Sequence, residues 1–270
     1  MLPAILSLGI SGLAFGALLG FAAIKLAVPV DERVTAIKDV LPGANCGACG
    51  LPGCGNLAEA IVAGKAAVDA CPVGGSGTAA KIGEIMGVKA DEREANVAVV
   101  LCQGSCDKVA DRFRYDGPRD CASATLLQGG GQKACTYGCL GFGTCAASCP
   151  FDAIVMGDDR LPHIDLEKCT GCGQCVAACP KNIIILAPVS KQVYIRCRNH
   201  DRGPVVRKVC PVGCIACGLC VKNCPKQAIS LDNNLAVIDY GKCTNCETCV
   251  GKCPTKAIAS SVRHAEQQTA

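Results

Sequence analysis

The longest uninterrupted apolar run opens the chain. Residues 4–24, AILSLGISGLAFGALLGFAAI, carry no charged side chain, and at about 1.5 Å of rise per residue they suffice to cross roughly 30 Å of hydrocarbon as one helix. No basic segment precedes the run and no small-residue cleavage pattern precedes Asp31, so a membrane span is expected rather than a cleaved leader. Lys25, Arg33 and Lys38 all follow it, which predicts a single-pass protein of the cell membrane with its C-terminal body in the cytoplasm. Gly12, Gly16 and Gly20 recur every four residues, either as a stripe for close helix docking or as the ordinary glycine abundance of membrane spans. Val34, Ile37, Val40 and Leu41 then mark one face of a short amphipathic helix. Asn56 with Glu59 fits a capping box opening a helix that carries Leu57, Ile61 and Val62. Beyond residue 95 the pattern changes to short strands. Four times a Cys-Pro pair is followed by a turn and a brief apolar stretch: CPFDAIVM, CPKNIIIL, CPKQAISL and CPTKAIAS. Each reads as a binding loop, a helical turn begun by the Pro, and a strand.

Composition changes what such a chain needs in order to fold. Of 270 residues 25 are Cys and none is Trp, and aromatics make up only 3%, too little bulk for an ordinary core. An odd number of thiols leaves one over in any full disulfide scheme. The cysteines recur at two- and three-residue gaps and precede Pro at 71, 149, 179, 210, 224 and 253. Iron-sulfur ligation needs that spacing and disulfides do not. Four-cysteine zinc sites are the competing reading, because C-x2-C pairs suit them as well. A net charge of +4 is too mild to argue for nucleic acid.

The first set, Cys46, Cys49, Cys54 and Cys71, is self-contained and glycine-rich. From residue 96 the chain repeats itself. NVAVVLC leads through TCAASCP to HIDLEKCTGCGQCVAACPKNIII, and KQVYIRC leads through CPVGCIACGLCVKNCPKQAIS to VIDYGKCTNCETCVGKCPTKAIA. Two tandem two-cluster ferredoxins are therefore expected, over roughly 130–187 and 207–259. The Cys before Pro serves the opposite cluster in such units. That rule joins Cys169, Cys172 and Cys175 to Cys149; Cys214, Cys217 and Cys220 to Cys253; and Cys243, Cys246 and Cys249 to Cys224. Nine thiols remain: Cys102, Cys106, Cys121, Cys135, Cys139, Cys145, Cys179, Cys197 and Cys210. Cys139, Cys145 and Cys179 belong together, and Phe142 stands where their next thiolate belongs. In one scheme Cys135 completes them, and Cys102, Cys106 and Cys121 take Cys197 or Cys210 as their fourth partner. In the other, Cys135 joins Cys102, Cys106 and Cys121, and Cys197 or Cys210 completes the Cys139 set, unless that site holds three irons. Five [4Fe-4S] clusters follow at least, and six on the fuller count. Buried structural thiols or a zinc site are the alternative for the extra set.

The expected architecture is α+β: a transmembrane anchor (1–30), a small [4Fe-4S] domain (31–75), a helix and linker (76–95), a Cys-rich strand region with the first ferredoxin domain (96–190), a second ferredoxin domain (191–260) and a tail (261–270). Neither a Walker A motif nor a persuasive G-x-G-x-x-G opens a helix, so no nucleotide site is expected in this chain. His163, His200 and His264 are the only histidines, and none is expected as a ligand. Lys65, Lys81, Lys89 and Arg93 offer a basic face to an acidic partner, or are simply solvated.

NCGACGLPGC with CPVGG resembles the small cluster domain of the Rnf complex's B subunit and of some corrinoid iron-sulfur proteins and activators. With the single helix before it and YGCLGFGTC and the ferredoxin repeats after it, essentially the whole chain resembles the B subunit of the Rnf complex, in its long, cluster-rich form. The second ferredoxin and the extra cysteines depart from the short proteobacterial form. The resemblance implies the redox subunit of a membrane-bound, ion-translocating (Na+ or H+) ferredoxin:NAD+ oxidoreductase. It would accept electrons from soluble ferredoxin and pass them to the other membrane and peripheral subunits. A stand-alone membrane-tethered polyferredoxin, or a reductive activator for a corrinoid or dehydrogenase partner, is the rival.

Overall fold

A computed structural model of the chain describes residues 2–26, 31–90 and 94–260. Helix α1 (Leu2–Lys25) stands clear of the remainder. Within it Leu8–Lys25 is the one stretch, among the described residues, long and apolar enough to cross a membrane.

Three helices make the next unit: α2 (Glu32–Val40), α3 (Cys54–Val62) and α4 (Gly75–Met86). They enclose Ile37, Leu57, Ile61 and Ile82, each essentially without solvent contact. Helix α3 starts earlier than the capping-box reading expects. Its N-cap is Gly53, and Asn56 turns its amide to the Pro52 carbonyl instead (3.2 Å). The capping acceptor comes from outside the helix: Asn45 Oδ1 receives the Cys54 N–H at 2.8 Å. A side chain nine residues upstream thereby fixes the loop holding Cys46 and Cys49 against the helix holding Cys54.

The remainder is built twice on one plan. In the first copy, β1 (Asn96–Val100) pairs antiparallel with β4 (Ile184–Pro188) around a hairpin of β2 (Ile154–Met156) and β3 (Pro162–Ile164). In the second, β5 (Val193–Ile195) pairs with β8 (Ile258–Ser260) around β6 (Ile229–Asp232) and β7 (Leu235–Ile238). Every Cys-Pro motif of the four is followed by one of these strands. The helical turn falls before Cys-Pro and not after it: α6 (Thr144–Ala147), α7 (Gln174–Ala177), α9 (Leu219–Lys222) and α10 (Thr248–Lys252). After each Pro the chain turns through a left-handed residue, Asp152, Asn182, Gln227 or Lys256, and a helix cannot continue through that conformation. Two further helices lie outside this plan, α5 (Cys121–Thr125) and α8 (Gly203–Val209). The copies meet where Leu101 and Ala187 pack with Tyr194, which Tyr240 of its own copy backs, and through Arg196 Nε donating to the Val100 carbonyl at 3.1 Å.

In all four binding loops the residue two after the first motif position has positive φ: Gly141, Gly171, Ala216 and Asn245. At Gly171 a Cβ would lie 2.3 Å from the Asn96 carbonyl oxygen. Gly171→Ala is therefore expected to destabilise by about 2–4 kcal/mol through left-handed strain plus the clash. Ala216→Gly, at the equivalent position, relieves strain and is expected to stabilise by up to about 1 kcal/mol. Anaerobic thermal unfolding of the two variants should shift in opposite directions.

Candidate metal centres

Where this chain has a core, it has thiols in it. Cys139, Cys145 and Cys175 share a core with Ile154, Ile183 and Ile184, and Cys197, Cys214, Cys220 and Cys249 share one with Val193, Leu235 and Ile258. No disulfide joins any of the cysteines. Burial pushes the Cys139 thiol up to about 12, and nearby Cys102 acts in the same direction. Burial likewise takes Cys175 and Cys197 to about 12 and Cys145, Cys210, Cys220 and Cys249 to about 11. Left alone, such thiols are protonated near neutral pH. Metal ligation, which needs the thiolate, must remove those protons.

The thiols fall into sets of four. One cavity is lined by Cys214, Cys217, Cys220 and Cys253, and another by Cys224, Cys243, Cys246 and Cys249. Near the N-terminus, Cys71 feels the charges of Cys54 and Cys46, and Cys49 packs in the same core. Cys175 feels Cys169, Cys172 and Cys149.

For the nine remaining cysteines, the structure follows neither sequence scheme. Cys121 opens α5, and its N–H donates to Thr144 Oγ1 at 2.8 Å, at the start of α6. This brings Cys121 beside Cys145 and Cys139, with Cys179 also neighbouring Cys145. Phe142 stacks on Tyr115, centroids 5.0 Å apart, in the place where the other loops have a cysteine. Cys135 turns away to line a separate cavity with Cys102, Cys197 and Cys210. Cys106 joins neither group. It is exposed, with Sγ 3.5 Å from the Asp158 carbonyl.

The fourfold cavity has a symmetry that the sequence carried without showing its meaning. Cys102 follows β1 as Cys197 follows β5. Cys135 and Cys210 each accept, through their carbonyls, the N–H of the glycine three residues on, Gly138 and Gly213. Each copy of the repeat thus contributes two equivalent thiols to one site between them.

The surroundings suit sulfur that carries negative charge. Cys102 Sγ accepts from Cys139 N at 3.5 Å, Cys169 from Ala98 N at 3.4 Å, and Cys224 from Ala228 N at 3.3 Å. Asn199, essentially buried, gives its backbone N–H to Cys197 (3.5 Å) and its Nδ2 to Cys135 (3.4 Å). Sequence reasoning missed Asn199, since a lone Asn two residues beyond a Cys carries no pattern. Among the described residues, no three His, Cys, Asp or Glu side chains converge enough to hold a single ion. A zinc site with Zn–S near 2.3 Å needs that convergence, whereas a four-iron cluster spreads its ligands around a larger body. His163 pairs with Asp159 (3.0 Å), and His200 pairs with the Asn233 carbonyl (2.9 Å) and packs on Tyr137, which lines the shared cavity. His264 and Arg93 lie outside the described residues. Lys65, Lys81 and Lys89 are exposed.

Comparison with known proteins agrees with this chemistry. Residues 41–73 match an Fe-S cluster family, 162–185 a 4Fe-4S binding domain, and 213–257 a 4Fe-4S dicluster domain. The B subunit of the Na(+)-translocating ferredoxin:NAD(+) oxidoreductase complex of Acetobacterium woodii is 52% identical, over 87% of this chain and 71% of its own length. The B subunit of the proton-translocating ferredoxin:NAD(+) oxidoreductase complex of Clostridium ljungdahlii is 48% identical, over 87% and 83%. The B subunit of the ion-translocating oxidoreductase complex of Methanosarcina acetivorans is 42% identical, over 86% and 88%. The chain belongs to the family of Rnf complex B subunits. The B subunits of the ion-translocating oxidoreductase complexes of Shewanella amazonensis and Vibrio vulnificus match over 59% and 58% of this chain, at 37% and 36% identity.

Asn45 is the hinge of the N-terminal site. Asn45→Ala removes the bond to the Cys54 N–H at a position with φ near 47°, and about 1–2 kcal/mol of stability should be lost. Asn45→Asp keeps the acceptor and should lose less in the same anaerobic unfolding experiment.

Proposed function

We propose that this chain is the electron-relay component of a membrane-bound, ion-translocating ferredoxin:NAD+ oxidoreductase, and that 24 of its thiols hold six [4Fe-4S] clusters in single file. The ligand sets are Cys46, Cys49, Cys54 and Cys71; Cys149, Cys169, Cys172 and Cys175; Cys121, Cys139, Cys145 and Cys179; Cys102, Cys135, Cys197 and Cys210; Cys214, Cys217, Cys220 and Cys253; and Cys224, Cys243, Cys246 and Cys249. The last five make two tandem ferredoxin units joined by a shared centre.

One observation supports the reading: each set lies within electrostatic reach of the next. Cys46 acts on Cys172, and Gln174 Nε2 donates to the Cys46 carbonyl. Cys145 acts on Cys175, Cys102 on Cys139, Cys214 on Cys197, and Cys220 on Cys249. When bound, each cluster supplies one-electron chemistry at low potential, about −400 mV being typical of plant-type all-cysteine ferredoxins. The protein's work is to hold neighbouring centres close, since tunnelling falls steeply with distance, and to keep water from the buried thiolates.

The file has two different ends. The Cys46 set follows the membrane helix. The Cys246 set ends in an exposed thiol, on a unit (198–260) with nine Lys and Arg against four Asp and Glu, whereas residues 31–90 hold five against six. Charge therefore favours an acidic ferredoxin docking at the second unit rather than at Lys65, Lys81 and Lys89. Electrons then run toward the membrane end and the other subunits, with the cluster domains in the cytoplasm.

Anaerobic purification should yield a multi-subunit membrane complex with ferredoxin:NAD activity. Recovery of this chain alone, from membranes lacking that activity, would favour the stand-alone polyferredoxin. The isolated chain should carry about 24 iron atoms, four per cluster. Cys121→Ser and Cys135→Ser should each lose about four, from different resonances, and Cys106→Ser none. Lys226→Glu, beside Cys246, should slow reduction by ferredoxin several-fold at low salt, and the difference should close as salt rises.

A further inference from the structure

The shared cavity between the two copies differs from the two cysteine-lined cavities of the second copy in the charge of its walls. Lys133 and Arg196 both line it. Lys133 is buried, with Nζ donating to the Gly104 carbonyl and to the Cys139 carbonyl (3.0 Å). Arg196 is half-buried and anchored by Nε on the Val100 carbonyl, and the Cys102 charge acts on it. Lys133 lies two residues before Cys135 in the first copy, and in the second Arg196 and Arg198 flank Cys197, Arg198 also lining the cavity, so both copies bring basic side chains to it. By contrast, the Cys214 cavity is lined by no charged side chain, and the Cys246 cavity has exposed Lys226 offset by Glu247. The shared cavity also receives the three N–H donations to Cys102, Cys135 and Cys197 described above.

Opposite charge in a poorly solvated wall, together with N–H bonds to sulfur, favours the more negative of two redox states. We infer that Lys133 and Arg196 make the shared centre the highest-potential site of the file, an electron well between the two ferredoxin units. This rests on the ligand sets proposed above. The step is one electron: the shared centre goes from the 2+ to the 1+ core as a neighbouring centre returns from 1+ to 2+, with no bond formed or broken and no proton transferred. The electron comes from the ferredoxin-fed relay itself. A well here holds one electron between the units, downhill from the docking end and uphill toward the membrane end.

Paramagnetic resonance during a potentiometric titration of the purified chain tests this. The resonance missing from Cys135→Ser, in which iron content falls by about four, should be the first to appear as the wild-type chain is reduced. Lys133→Met and Arg196→Gln should each move that resonance alone to lower potential, while Lys133→Arg and Arg196→Lys should leave it near the wild-type value. If the Cys135-dependent resonance appears after the others, or keeps its potential in both neutral variants, the electron well is wrong and the ligand sets stand. If Cys135→Ser retains full iron, the ligand reading itself fails and the inference falls with it. The wild-type order of reduction is decisive even if a neutral variant does not accumulate.

Discussion

A thiolate buried among aliphatic side chains is tolerated only when its charge is shared with something positive. This chain buries thiols in nearly every core it has: beside Ile183 and Ile184 in one copy of the repeat, beside Val193 and Ile258 in the other, and beside Val109 between them. Strands of three to five residues and helices of four or five do not form a stable domain by themselves. The cluster and the fold therefore depend on each other. The short elements aim sulfur inward, and the metal supplies the attraction that aromatic bulk supplies in ordinary proteins.

Much of this was legible because the motif spacing is local. The two groups of four thiols that line cavities in the second copy follow from counting residues, since C-x2-C-x2-C spacing keeps three of them within one loop and Cys-Pro returns from one strand away. The strands after each Cys-Pro were legible for the same reason. The turn after Pro was misread because Pro permits a helical start, and only the left-handed residue beyond it shows that no helix follows. At α3 the cap was misplaced because the acceptor, Asn45, comes from a loop nine residues upstream, a contact that periodicity does not encode.

The nine extra thiols were out of reach for a related reason. Phe142 announced a missing ligand without naming its source. The substitute, Cys121, sits in an inserted segment between Cys102 and Cys135, and nothing in its own neighbourhood marks it. The internal repeat held the better clue. Cys210 occupies the place of Cys135, which is puzzling while each copy is considered alone, and natural once equivalent positions of the two copies line one cavity. Cys102 with Cys197, and Cys135 with Cys210, then make up the shared set proposed above, to which each copy brings two thiols.

That arrangement gives the inserted segment its purpose. Two ferredoxin units joined by a plain linker would leave a gap between their nearest centres, and transfer across it would be the slow step of the relay. The segment from Cys102 to Cys135 closes the gap from both sides. In the proposed ligand sets its ends supply half of the shared site and Cys121 stands in for the ligand absent at Phe142, while Lys133 ties the cavity wall to the Cys139 carbonyl. Deleting the loop would not merely shorten a surface excursion, because two adjacent centres would each lose ligands and the file would break in its middle. Continuity of the relay is therefore a property of the insertion as much as of the ferredoxin units on either side of it.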